Sequence, residues 1–175
     1  MNQMQILFAG SAPFALPTLK LLHDLGIVCA VLTAPDRPSG RGLTMRKNCI
    51  AEFATNFGLP LIQPETLRSE ARELVASYYP DIMICAAYGK IFGPKFLSLF
   101  PRGTVNIHPS LLPRFRGPAP VSATLLAGDK QTGITLQKMA LEMDAGDVIV
   151  QSTRDVKDED TVSYTHLTLP TTSRV

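Results

Sequence analysis

Three residues in this sequence have the types and the spacing to act on a single reacting group. In VNIHPSLLPRFRGPAP, residues 105–120, a short apolar run carries Asn106 and His108 and then passes into a loop holding four prolines and two arginines. Extended backbone alternates its side chains, so Asn106 and His108 point to the same side, two residues apart near the strand's carboxyl end. An amide N–H can stabilise a developing oxyanion, and an imidazole can relocate a proton or stabilise charge beside it. Downstream, LEMDAGD, residues 141–147, places three acids and a glycine between two strand-like runs. Asp144 is therefore a candidate carboxylate partner for His108, with plain turn formation as the equally simple role for an aspartate there. If the three converge, Asp144 orients and supports His108, and no serine or cysteine nucleophile is needed. His23 and His166 have no such company and read as ordinary core or surface residues.

Other chemistries fit the chain less well. FAGSAPF resembles the turn of a dinucleotide site, but Gly10 is followed by Ser11, Ala12 and Pro13, so GxGxxG is not met. The glycines and basic residues of PDRPSGRGLTMRK fall in the wrong order for a GxxxxGK[ST] phosphate loop. That segment reads instead as a mobile basic loop, in which Arg37, Arg41, Arg46 and Lys47 could embrace a phosphate backbone, against the simple alternative of a solvated loop. The three histidines form no HxH or HxxxH pair and the three cysteines no CxxC pair, so no metal site is expected. Cys29 and Cys85 lie in apolar runs, and all three cysteines are expected to be reduced structural thiols.

These residues need elements to hold them. The chain has 175 residues, is 45% hydrophobic and carries a formal net charge of +2. That allows one domain with a substantial core and provides no global basic field, so any nucleic-acid contact must be local. No run approaches the roughly 18 apolar residues of a membrane helix, and the N-terminus lacks a secretory pattern; a soluble, cytoplasmic protein is expected.

Short β-branched runs alternate with helical periodicity. Residues 5–9, 28–33, 61–63, 81–86 and 104–108 read as strands, with helices over 14–25, 69–77 and 121–127 and one capped by Asn48 and stopped by Gly58. Residues 133–139 (GITLQKM) alternate apolar and polar, and 147–152 (DVIVQS) look like their antiparallel partner. The expected fold is α/β, a Rossmann-like doubly wound, mostly parallel sheet with a late antiparallel extension. In such sheets ligands bind beyond the carboxyl ends of the strands, so residues 10–13, 34–47, 87–93 and 109–117 are expected on one rim.

FAGSAPFA, APDRPSGRG, AAYGKI, VNIHPSLLPRFRGPAP, AGDKQTGITLQKM and MDAGDVI, in that order and spacing, resemble the catalytic domain of the methionyl-tRNA formyltransferases. The resemblance runs from residue 6 to residue 161, and NIHPSLLPRFRG with the later DAGD marks the 10-formyltetrahydrofolate-dependent formyltransferases as a group. It implies catalytic roles for Asn106, His108 and Asp144. It also implies a folate site using Ser110, Leu111, Leu112 and Pro113 together with Ala86, Tyr88, Gly89 and Ile91, and a tRNA-contacting segment containing Arg37, Arg41, Arg46 and Lys47. The implied reaction moves a formyl group from 10-formyltetrahydrofolate to the amino group of initiator methionyl-tRNA, by a cytoplasmic monomer that uses no metal. Related acceptors are a sugar-nucleotide amine or glycinamide ribonucleotide; a reading from another class is a noncatalytic Rossmann-like binding module. Residues 1–161 are expected to be an incomplete catalytic domain without the family's C-terminal β-barrel. Residues 162–175, threonine-rich and lacking the leucine-bearing helix of the family, read as a non-native tail.

Overall fold

Strand β1, Ile6–Gly10, is apolar along its whole length and buried throughout, as a central strand covered on both faces requires. The computed structural model describes residues 3–39, 44–157 and 160. It divides into two compact units, Met1–Asn106 and Ile107–Val175.

In the first unit, β1 leads through a 3-10 turn, Pro13–Ala15, into helix α1, Leu16–Asp24. The periodicity at 14–25 thus splits in two, the α-helix proper starting just before Pro17 near its N-terminus. Strand β2 is Val28–Leu32, followed by a two-stranded antiparallel hairpin of β3, Arg37–Ser39, and β4, Thr44–Arg46. Helix α2, Cys49–Asn56, starts where expected: the Asn48 side chain accepts from the backbone N–H groups of Ile50 and Ala51, both at 3.0 Å. Its buried face is Ile50, Ala51, Phe53 and Ala54, whereas Phe57 is exposed and stacks instead on His23 and Phe53.

Strand β5, Leu61–Ile62, helix α3, Ser69–Ala76, strand β6, Ile82–Ala86, the short helix α4, Pro94–Leu97, and strand β7, Thr104–His108, complete the alternation. The strand order is β5-β2-β1-β6-β7, with each neighbouring pair parallel. The chain winds outward in opposite directions from β1 and β6, so the switch point of the sheet lies at their carboxyl ends. There Gly10 has no room for a side chain: a Cβ would lie 2.9 Å from the Ala86 carbonyl oxygen and 2.7 Å from the Ala15 Cβ. Ser11 continues the join, its N–H donating to the Ala87 carbonyl at 3.1 Å and its hydroxyl to the Tyr88 carbonyl at 3.2 Å.

The second unit takes the end of β7 through the proline-bounded loop to helix α5, Pro120–Leu126, and then to β8, Gln131–Lys138, and β9, Val148–Asp155. Strands β8 and β9 pair antiparallel from Gln131 opposite Asp155 to Gln137 opposite Val148. The mostly parallel α/β fold and its late antiparallel strands agree with the sequence reading. The hairpin β3–β4 does not: residues 35–47 were expected as one mobile loop, because Pro38 and a run of cations carry no apolar alternation to announce a ribbon. Residues 162–175 lie outside the described residues, so the tail expected there has no structural account.

Candidate functional site

Strand β7 places His108 at its end, 4% exposed, and Asn106 two residues earlier, half-buried. The imidazole faces two acceptors. Its Nε2 lies 2.9 Å from the Phe115 carbonyl oxygen, and its Nδ1 lies 3.5 Å from Asp144 Oδ2. A carbonyl only accepts, so the Nε2 contact requires a hydrogen on that nitrogen, and Nδ1 bonds to the carboxylate only when it carries a hydrogen as well.

Asp144 reaches His108 because the chain between β8 and β9 folds back tightly. A Cβ on Gly146 would come within 1.8 Å of the Lys138 carbonyl oxygen, so only glycine permits the approach. Asp144 itself has φ of 51°, a left-handed conformation that aspartate tolerates better than most residues. Its side chain is 10% exposed and well supplied with donors. The Gly117 N–H donates to Oδ2 and Gln137 Nε2 donates to Oδ1, both at 2.9 Å.

The loop from 109 to 117 is built around this pair. The Ser110 hydroxyl donates to the Arg114 carbonyl at 2.7 Å, and Phe115, with φ of 57°, turns its carbonyl toward His108. A second network holds the loop from the strands. Thr135 Oγ1 donates to the Ser110 carbonyl at 2.7 Å and accepts from the Leu112 N–H at 3.1 Å; Gln151 Nε2 donates to the Leu112 carbonyl at 2.8 Å and to Thr135 Oγ1 at 2.9 Å. Arg114 lies over the Phe115 ring at 4.5 Å and is bonded through two nitrogens to Asp129, which holds its guanidinium above its ordinary proton affinity.

The residues expected around a folate fall into two kinds. In the second unit Ser110 and Leu112 are buried, with their polar atoms occupied by the loop's own bonds, while Leu111 is half-buried and Pro113 exposed. In the first unit Ala86 and Tyr88 are buried and Gly89 and Ile91 are exposed. Tyr88 stacks on Phe92 with ring centroids 5.1 Å apart, and burial pushes its hydroxyl up to about 12. Lys90 fixes this loop by donating to the Pro64 and Glu65 carbonyls at 2.7 and 2.8 Å.

Of the four cations singled out, Arg37 stands opposite Arg46 across the hairpin and pairs with Glu65 at 3.0 Å. Lys47 donates to the Thr55 hydroxyl at 3.0 Å. Arg41 lies outside the described residues. Among the described residues no three His, Cys, Asp or Glu side chains are grouped to hold a metal ion, and no helix is long and apolar enough to cross a membrane.

Sequence reasoning missed Gln137, Thr135, Gln151 and the backbone of Phe115 and Gly117. A signal existed in GITLQKM: two of its polar residues, Thr135 and Gln137, sit two apart on one face of a strand.

The Formyl transferase family model matches residues 4–168. The chain is 49% identical over 158 residues to the methionyl-tRNA formyltransferase of Borrelia hermsii, covering 90% of this chain and 51% of that protein. It is 43% identical over 165 residues to the methionyl-tRNA formyltransferase of Methylobacillus flagellatus, covering 93% and 54%. The chain therefore spans about half the length of the curated relatives it matches. A solved phosphoribosylglycinamide formyltransferase from Streptococcus pneumoniae superposes with a TM-score of 0.73 at 25% identity, over 93% of this chain and 87% of that one. A formyltetrahydrofolate deformylase from Pseudomonas syringae shares the fold at a TM-score of 0.70 and 22% identity, over 93% of this chain and 54% of that one.

Proposed function

The chain belongs to the formyl transferase family, and from that membership we propose that it carries the formyl-transferring machinery of a protein that formylates initiator methionyl-tRNA with 10-formyltetrahydrofolate as donor. The observation that carries the chemistry is the buried His108–Asp144 pair at 3.5 Å, with Asn106 two residues back on the same strand.

In this reading the Asn106 amide donates to the oxyanion that develops as the acceptor amine adds to the formyl carbon. His108 stabilises that charge and Asp144 holds the ring's orientation; the proton that leaves the amine is the one that passes to N10. The new C–N bond forms to the acceptor as the bond to N10 of the folate breaks, and N10 takes up a proton. Ser110, Leu111, Leu112 and Pro113, with Ala86, Tyr88, Gly89 and Ile91, are proposed to bind the folate. The acceptor assignment is supported by the 49% identity to a methionyl-tRNA formyltransferase against 25% to a phosphoribosylglycinamide formyltransferase. Arg37, Arg41, Arg46 and Lys47 are proposed to contact the tRNA backbone, where cations neutralise phosphates.

The test is direct detection of formylmethionyl-tRNA when the protein is mixed with 10-formyltetrahydrofolate and methionyl-tRNA. Product is expected with tRNA as acceptor, and charge reversal at Arg41 should abolish it while sparing transfer to a small amine. Transfer to glycinamide ribonucleotide or a sugar-nucleotide amine with none to the tRNA would overturn the acceptor.

A further inference from the structure

We propose that Gln137 is a positioning residue for formyl transfer, holding the Asp144 carboxylate in the orientation that presents Oδ2 to His108. The inference rests on the reading of His108 and Asp144 just given and extends it to a residue on strand β8. Gln137 is 1% exposed, on a strand where an apolar side chain of the same volume would pack without any polar cost. Its Nε2 donates to Asp144 Oδ1 at 2.9 Å, whereas its Oε1 is buried with no hydrogen-bond partner among the described residues. A side chain that served only to fill space would not leave an amide oxygen buried and unbonded; the amide is retained for what its nitrogen does. Nor can the amide turn over, because that would set Oε1 against the carboxylate oxygen, acceptor against acceptor.

The arrangement divides the carboxylate's work. Oδ1 is held by Gln137, and Oδ2 is held by the Gly117 N–H and directed toward His108 Nδ1. Two donors from different segments, one on β8 and one in the loop, fix the carboxylate plane about its last side-chain torsion. Without Gln137 the carboxylate loses the donor that holds Oδ1, and with it the setting of its plane that this donor imposes. The ring would then lose a carboxylate in register with Nδ1, although every residue proposed to touch substrate would still be present.

The experiment compares wild type with Gln137→Met and Gln137→Glu, both close in volume and both lacking the amide donor, after circular dichroism has identified which variants fold. In a folded variant, kcat for formylmethionyl-tRNA formation is expected to fall on the order of 10- to 100-fold, with KM for the folate changed less than about threefold. Histidine labelled with 15N is expected to show a displaced His108 ring signal in the same variant at the pH of the assay. Wild-type kcat in a folded variant, or a loss carried by KM alone, would overturn the proposal. Should the wild-type protein transfer no formyl group to any acceptor, the proposed function fails by itself; the His108 signal then decides the positioning role, and an unmoved signal in a folded variant sinks it.

Discussion

Strand β1 and the β8–β9 pair follow opposite rules. On β1, Ile6, Leu7, Phe8 and Ala9 are at most 1% exposed, and all are apolar. On β8, Thr135 and Gln137 are as deeply buried, at 0% and 1%, while on β9 Val148, Ile149 and Val150 are about half exposed, at 49%, 51% and 52%. On β1 burial follows hydrophobicity, which is what the hydrophobic effect alone would build. At Thr135 and Gln137 on β8 it follows hydrogen-bond demand: Thr135 serves Ser110 and Leu112, and Gln137 serves Asp144. The contrast separates a scaffold from a site, since a buried polar residue is retained only where something must be held by it.

The largest expected effect lies at the centre of the polar network. In Asp144→Asn, one carboxylate oxygen becomes an NH2 group, and both oxygens face donors, Gly117 N–H on one side and Gln137 Nε2 on the other. Either orientation of the new amide opposes donor to donor, and the charge facing His108 is gone. Formyl transfer is expected to fall by roughly 10²- to 10⁴-fold, read as initial rates of formylmethionyl-tRNA formation. A variant that turns over at the wild-type rate would remove Asp144 from the mechanism.

The next two changes set the regions directly against each other. Phe8→Ala empties a fully buried position on β1 and is expected to cost about 3–5 kcal/mol, seen as a lower denaturant midpoint at unchanged slope. Thr135→Val keeps the shape and raises hydrophobicity, so a core governed by apolar burial would gain stability. The network argues the reverse: the Leu112 N–H loses its acceptor and the Ser110 carbonyl its donor, both in a buried setting, for a loss of about 1–3 kcal/mol. A neutral or stabilising Thr135→Val would show that the second unit obeys the same rule as β1 and would dissolve the comparison.

The same contrast explains what was legible in the sequence. β1, β2 and β6 announce themselves because continuous apolar runs have one use in a parallel sheet, and the Asn48 cap because its side chain has a local duty two and three residues on. Asn106, His108 and Asp144 could be singled out because strand alternation and a turn-prone acidic loop are local patterns. Thr135 and Gln137 were read only as polar members of an alternating strand, since binary patterning assigns polar residues to solvent and cannot foresee a buried partner supplied from a loop. The hairpin β3–β4 was hidden for a related reason. Its pairing sets Arg37 opposite Arg46 with no apolar face to give a period, so nothing in composition distinguished a ribbon from a loop.

The smallest expected effect tests whether the first unit contains a polar site of its own. Tyr88 is 4% exposed, packed on Phe92, and its hydroxyl has no hydrogen-bond partner among the described residues. Tyr88→Phe removes that hydroxyl without opening a cavity, so stability at neutral pH should change by less than about 1 kcal/mol. The difference between the two proteins belongs at high pH. Burial raises the phenol to about 12 in the folded chain, against an ordinary value of 10.0, so the unfolded chain releases its proton first. The folded state therefore keeps its full advantage below pH 10 and loses it progressively as pH rises through 12. Denaturant unfolding at pH 7 and pH 11 should show a smaller loss of stability for the phenylalanine variant than for wild type. A tyrosine whose hydroxyl serves a ligand would instead reveal itself at neutral pH, as a rise of tenfold or so in KM for the folate with no change in stability; Tyr88 would then belong with Gln137, buried for what its polar atom holds.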